Sequence, residues 1–271
     1  MLAFFCVHCD FCDKDFMSAL HIDTIGHGPD LALLHGWGMH GGIWAGLSER
    51  LAARFRVHVV DFPGYGESVA IEPYTLESLA KTVAQALPQR IHIIGWSLGG
   101  QVALQWARLA PQQIERLVLI GTTPCFRQRE DWAHGLSDPV MAEFANSLAQ
   151  DYEATLKRFL SLQARSGDEA RATITALRAQ LFARGRPSLS TLRAGLAILA
   201  ELDLREAVGE IQQATLLLHG SHDTLTPPAA AQWLSQALPH AQLEIVRGAA
   251  HAPFLSHPQA TLEAINGFLH G

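Results

Sequence analysis

The sequence predicts an α/β fold: a mostly parallel sheet with helices on both faces and a helical cap inserted into it. Three features predict it. Six short apolar runs alternate with stretches of helical spacing. One long interval, Pro124 to about Ala214, breaks that alternation with helices alone. A serine stands between two glycines where one of the apolar runs passes straight into a helical stretch, at "IHIIGWSLGGQVALQWA" (Ile91–Ala107).

The elements follow in order. The stretch from Met17 through "HIDTIGHGPD" is a natural beginning for the first strands, and "LALLHG" (Leu31–Gly36) is an apolar strand. "RVHVVDFPGYG" (Arg56–Gly66) is a second, ending in a Gly/Pro turn. Thr75–Leu87 is helical in pattern. "IHIIGWS" is the next strand; Ile91, Ile93 and Ile94 are β-branched, as in a strand buried on both faces. Gly99–Leu109 follows as a helix, with Val102, Ala103 and Trp106 at three- and four-residue spacings and Pro111 closing the run. "RLVLIGTTP" (Arg116–Pro124), "ATLLLHGSHD" (Ala214–Asp223) and "AQLEIVRGAAH" (Ala241–His251) complete the strands, and Pro228–Ala237 and Pro258–Leu269 the helices of the sheet domain.

The interval between holds "DYEATLKRFLSLQ", "EARATITALRAQLFARG" and "STLRAGLAILAELDL", each with helical stripes and no strand among them. Residues 124–213 are therefore expected to form a cap, and residues 17–123 and 214–271 the sheet core. The chain is 271 residues long, 48% hydrophobic and 17% charged, enough for a sizeable core. Its net charge of −6 argues against a general nucleic-acid binder. No apolar run approaches the roughly 18 residues that a membrane span requires.

Cys6, Cys9 and Cys12 lie in "CVHCDFC" beside His8, and Cys125 stands alone. A metal or iron–sulfur site would need a matching second cluster of ligands, which the sequence lacks, so no metal is expected. Residues 1–16 read as an extension, as an upstream start codon would add, since the strand pattern begins after Met17. A chain beginning at Met17 should fold and function as well as the full one. Thermal unfolding and activity of the two compare them directly. The absence of a disulfide framework points to a reducing compartment, the cytoplasm.

The strand-to-helix turn at Gly95–Gly99 matches the G-x-S-x-G elbow, which pushes a serine hydroxyl out at the carboxyl edge of a sheet. There the first N–H groups of the helix favour developing negative charge. A serine alcohol is a poor nucleophile and needs a base that is itself held by an acid. On this elbow the acid and base follow in that order along the chain. Asp223 ends one later strand and His251 another, so both reach the edge where Ser97 emerges. His222 adjoins Asp223 too closely to face it across a hydrogen bond, and His257 is the next alternative. The oxyanion needs backbone donors. The N–H of Leu98, after the nucleophile, and the N–H of Trp37, in "HGWG" after the first apolar strand, are the candidates.

Taken together, "LLHGWG", "DFPGYGES", "GWSLGG", "HGSHDTLTP" and "AAHAPFLSHP" resemble the α/β-hydrolase superfamily, from about Met17 to the C-terminus. Within it, "TTPCFRQREDW" and "RFLSLQ" are similar to the pimeloyl-[acyl-carrier protein] methyl ester esterases of biotin synthesis. The resemblance implies an α/β-hydrolase fold and a cofactor-free serine carboxylesterase. It would cleave the methyl ester of pimeloyl-carrier protein through an acyl-enzyme and release methanol. It implies Ser97 as nucleophile, Asp223 as orienting acid and His251 as base, with Trp37 and Leu98 lining the acyl site. It assigns Phe159, Leu160, Ser161, Leu162 and Gln163 to the cap wall of the substrate channel, and Arg158 and Arg171 to contact with the acidic carrier protein. Ala154 and Thr175 stand where other carrier-binding arginines of the family would be. A monomer is expected.

Charge points the same way. Eight basic residues lie between Thr155 and Arg193 against only Asp168 and Glu169, an excess that fits an acidic partner. A broad carboxylesterase, a thioesterase or a carbon–carbon hydrolase of the same fold would use the same three residues, and a non-catalytic binding module could retain the fold. A dehalogenase would carry aspartate at the elbow.

Overall fold

The structure, a computed structural model, describes residues 20–162 and 168–270. Its strands are β1 (Ile22–Ile25), β2 (Asp30–Leu34), β3 (Arg56–Val60), β4 (Ile91–Trp96), β5 (Ile114–Ile120), β6 (Ala214–Gly220) and β7 (Ala241–Val246). They form one sheet in the order β1-β3-β2-β4-β5-β6-β7. β1 runs antiparallel to β3 and every other pairing is parallel. The helices α1 (Ala45–Leu51), α2 (Leu76–Ala86) and α3 (Leu98–Leu109) follow β2, β3 and β4. Between β5 and β6 stand α4 (Asp138–Gln150), α5 (Tyr152–Leu162), α6 (Asp168–Gln180) and α7 (Leu189–Glu201). The chain closes with α8 (Pro228–Ala237), α9 (Pro253–Ser256) and α10 (Pro258–His270).

The local causes are visible. All six residues of β4 are buried, and all but His92 are apolar or glycine, as a central strand covered on both faces demands. α2 starts where the Thr75 side chain accepts the Ser78 N–H, with Glu77 in its first turn, and it buries Leu76, Leu79, Ala80 and Val83 as one stripe. Residues Leu98 to Ala107 of α3 are all buried, so this helix runs through the core rather than over it.

The strand order positions the site. β3 lies to one side of β2 and β4 to the other, so the connections leave β2 and β4 in opposite directions. In open α/β sheets the crevice at such a switch point, outside the carboxyl ends, is where ligands bind. The "HGWG" loop leaves β2 there and Ser97 follows β4 there.

Sequence reading left α1, α4 and α9 unnamed and gave β1 no bounds. β1 has four residues, half of them exposed, too short to show a period. α4 carries Pro139 in its first turn after Ser137 and buries Met141, Phe144 and Leu148 at helical spacing, a signal that the sequence does hold. The "PCFRQREDW" stretch folds on itself: the Trp132 indole donates to the Cys125 carbonyl at 2.9 Å, and Trp132 meets Trp233 of α8 edge-on at 5.3 Å.

The basic excess between Thr155 and Arg193 is smaller in space than along the chain. Arg158 pairs with Glu143 of α4 at 2.7 Å, and Lys157 and Arg186 share Glu153. Arg184 reaches Asp23 and the fully buried carboxylate of Asp61 in the sheet domain. These acids lie outside the counted stretch, so a sum over sequence missed them.

The extension 1–16, with Cys6, Cys9 and Cys12, lies outside the described residues. Among the described residues no helix is long and apolar enough to cross a membrane.

Candidate active site

Ser97 is the one non-glycine residue with positive φ among the described residues, at φ 56° and ψ −116°. L-residues avoid this region, and strain of this kind is held only where the surroundings enforce it. The enforcement comes from both sides. A Cβ on Gly99 would lie 2.2 Å from the Leu34 carbonyl oxygen of β2, and one on Gly95 would lie 2.5 Å from the Gly99 oxygen. Glycine at both positions lets the start of α3 press against the sheet. The Ser97 N–H donates to the Ile120 carbonyl at 2.9 Å, tying the elbow to the end of β5.

Asp223 follows β6 and is buried. Its Oδ1 accepts the N–H groups of Leu225 and Thr226, both at 2.9 Å. Its Oδ2 accepts the Thr226 hydroxyl at 2.8 Å and meets His251 Nδ1 at 2.7 Å. Burial alone would raise this carboxyl. The Coulombic pull of His251, with hydrogen bonds from His219 and His251, outweighs burial and holds it well below the usual carboxylate range. Facing an ionised carboxylate, Nδ1 of His251 carries the proton, which leaves the lone pair on Nε2. That Nε2 is buried and makes no hydrogen bond to any described residue. It is a base with its acceptor orbital free.

The loop carrying His251 is pinned to the elbow. The Trp96 indole, one residue before Ser97, donates to the His251 carbonyl at 2.9 Å. Gly121, at the end of β5, lies so close to the imidazole that a Cβ there would sit 3.1 Å from Nδ1. The ends of β4, β5, β6 and β7 thus converge on one point. His222, the first alternative, is exposed, and His257 meets the hydroxyl of its neighbour Ser256 at 2.9 Å.

Trp37 and Leu98 flank the elbow. Leu98 is the first residue of α3. The loop Gly36–Gly38 passes beside Ser97: a Cβ on Gly36 would lie 3.4 Å from the serine Cβ. The Trp37 indole donates to the Leu192 carbonyl of α7 at 3.0 Å, and its ring meets Phe159 of α5 edge-on at 5.0 Å. Phe159 in turn meets Phe144 of α4 edge-on at 5.5 Å. Three aromatic rings therefore join the Gly36–Gly38 loop to α5 and α4. Leu160, Ser161 and Leu162 follow Phe159 in α5, Arg171 lies in α6, and Gln163 lies outside the described residues.

Two histidines that sequence reasoning passed over support this site. His35 is fully buried; its Nδ1 meets the Gly36 carbonyl at 2.8 Å and its Nε2 accepts the Phe62 N–H at 3.0 Å. One nitrogen must donate and the other accept, so the ring is neutral, and burial pushes its pKa down to about 4. His219, within β6, approaches Asp223 Oδ2 at 3.3 Å. The only sequence signal for either is a histidine at the end of an apolar strand.

Comparison with known proteins agrees with this architecture. A family model described as alpha/beta hydrolase fold matches residues 31–258. A pimeloyl-[acyl-carrier protein] methyl ester esterase from Nitrosomonas europaea is 46% identical over 244 residues, 90% of this chain and 96% of that protein. One of the same name from Chromobacterium violaceum is 42% identical over 246 residues, 91% and 96% of the two chains. Among solved structures, a bromoperoxidase from Bacillus anthracis superposes with a TM-score of 0.87 at 23% identity, covering 93% of this chain and 95% of its own. At that identity it speaks for the fold alone. The chain belongs to the α/β-hydrolase family and, within it, to the pimeloyl-[acyl-carrier protein] methyl ester esterases.

Proposed function

We infer that this chain is a serine carboxylesterase that hydrolyses the methyl ester of pimeloyl-[acyl-carrier protein], giving the free carboxylate and methanol. The relatives bearing that name over nine-tenths of the chain support the substrate. The observation that carries the chemistry is the buried Asp223–His251 pair, whose free Nε2 belongs to a loop pinned to the strained elbow of Ser97.

Ser97 Oγ attacks the ester carbonyl carbon as His251 Nε2 takes its proton. Asp223 holds the imidazole in its Nδ1–H form and stabilises the imidazolium. The N–H groups of Trp37 and Leu98 bind the oxyanion. Collapse breaks the bond to methoxide, which leaves as methanol with the proton from Nε2. Water then attacks the acyl-enzyme, His251 again taking the proton and returning it to Ser97 Oγ. No step calls for a cofactor. Residues 124–213 act as a cap, with Phe159 to Gln163 walling the acyl channel. Arg158 and Arg171 meet the acidic carrier protein, in the cytoplasm, with the enzyme working as a monomer.

Incubation with the methyl ester of pimeloyl-carrier protein, following methanol release, tests the reading. Turnover at a kcat/KM at least about tenfold above that for free dimethyl pimelate supports it; the carrier's extra binding free energy need only exceed about 1.4 kcal/mol. Hydrolysis of p-nitrophenyl butyrate with no turnover of the carrier-linked ester would refute it.

Electrostatic docking makes its own prediction. Replacing Arg158 and Arg171 together by glutamine should raise KM for the carrier-linked ester severalfold at low salt, and the KM ratio to dimethyl pimelate is the readout. Glutamine is preferable to glutamate because reversal at Arg158 would set two carboxylates side by side against Glu143. Added salt should weaken the wild type on the carrier-linked ester more than on the free one, since screening acts within about 8 Å at physiological ionic strength.

A further inference from the structure

Asp223 is contacted by two imidazoles, of which the mechanism uses one. His219 lies in β6, four residues before Asp223, with 1% of its side chain exposed. Its Nε2 stands 2.6 Å from the Thr226 carbonyl and 3.3 Å from Asp223 Oδ2. A carbonyl and a carboxylate both accept, so Nε2 must carry the hydrogen and points it between the two. We propose that His219 is a positioning residue for the reaction: its Nε2–H, shared between the Thr226 carbonyl and Asp223 Oδ2, fixes the carboxylate that orients His251.

The donor count around Asp223 shows why this is needed. Oδ1 is held by two backbone N–H groups. Oδ2 has His251 on one side and the Thr226 hydroxyl on another, but that hydroxyl has one hydrogen and a second acceptor, the Gly121 carbonyl, at 3.1 Å. When the hydroxyl turns to Gly121, His219 is the remaining donor opposing His251 on Oδ2. The same N–H ties Thr226 back to β6 and so holds the loop that supplies both donors to Oδ1. A histidine held only by the Thr226 carbonyl would be an ordinary satisfied core residue. The approach to Oδ2 separates the two roles by experiment.

His219 also tempers the carboxylate. A donor on Oδ2 draws off part of its negative charge and weakens its pull on the His251 proton. The titratable group that His219 meets is Asp223, from the loop before α8, and His251, from the loop before α9, meets the same carboxylate oxygen. Its register partner on β7 is Ile245. Without the N–H of His219, the His251 imidazolium gains stability, so the acid limb of kcat/KM moves to higher pH.

The proposal rests on reading Ser97, His251 and Asp223 as the triad. The experiment compares His219→Phe, which keeps a ring and loses the donor, with His219→Gln, whose amide can reproduce Nε2–H. The substrate is p-nitrophenyl butyrate and the enzyme is the full chain. In His219→Phe, kcat should fall about tenfold with KM within about twofold, the scale set by losing one hydrogen bond to a charged group. Its acid limb should rise by about half a pH unit. His219→Gln should stay within about threefold of wild-type kcat, with the limb in place. A folded His219→Phe with wild-type kcat and an unmoved limb overturns the proposal, and so do equal losses in both variants with no movement of the limb, which mark packing alone. Should the phenylalanine variant not fold, His219→Asn, too short to span both acceptors, takes its place against glutamine with the same expected contrast. Ser97→Ala on the same ester is the control. If it retains activity, the triad itself fails, a result distinct from failure at His219.

Discussion

Ser97→Ala should fold like the wild type and lose several orders of magnitude in kcat on a short-chain ester. Removing the nucleophile of such a triad leaves only oxyanion stabilisation and substrate binding, and a loss on the order of 10⁶ is the known scale. The backbone gives a second readout. Alanine retains the Cβ that makes φ 56° costly, so Ser97→Ala should unfold at nearly the wild-type temperature. Glycine adopts that φ freely, so Ser97→Gly should be more stable than Ser97→Ala by about 1 kcal/mol while equally inactive. Urea unfolding of the two variants, beside kcat, separates the strain from the chemistry. A folded Ser97→Ala enzyme keeping more than about a tenth of wild-type kcat would exclude Ser97 as nucleophile.

What could be read in the chain before the fold was known follows physical lines. β4 and β6 are mostly apolar and almost wholly buried because both faces are covered, and runs of this kind need no partner to be recognised. Ser97, Asp223 and His251 stand out because each ends or follows such a run, so a parallel sheet brings them to one edge whatever their separation. His35 and His219 do not stand out. Their partners are a neighbouring carbonyl, an N–H across the sheet and a carboxylate, contacts that depend on side-chain direction rather than spacing. The sequence tally of charge is incomplete for a related reason. Glu143, Asp23 and Asp61 reach the basic stretch from elsewhere in the chain, and a tally by sequence position cannot see them.

Stability should fall as the pH drops from about 6.5 to about 4, through His35 above all. Its ring cannot take a second proton in place. Nε2 accepts the Phe62 N–H, and a charge there would be fully buried. Burial is the dominant cause of its lowered pKa; the bond to Gly36 and the carboxylate of Asp61 pull the other way and do not prevail. In the unfolded chain the ring titrates near 6.5, so between the two values the unfolded state binds more protons and stability rises with pH. The slope approaches about 1.4 kcal/mol per pH unit, and the whole window is worth roughly 3 kcal/mol. His40 and His92, also lowered by burial, act in the same direction. Below the ordinary carboxylate range a second loss begins, because Asp61 and Asp223 are held ionised in the fold and must be protonated as it fails. Urea midpoints of the wild type at pH 7, 5.5 and 4.5 trace the first window. His35→Gln should start lower at pH 7, having lost the ring, but decline less steeply by about 1 kcal/mol per pH unit. Parallel slopes would mean that His35 is not the buried neutral imidazole described.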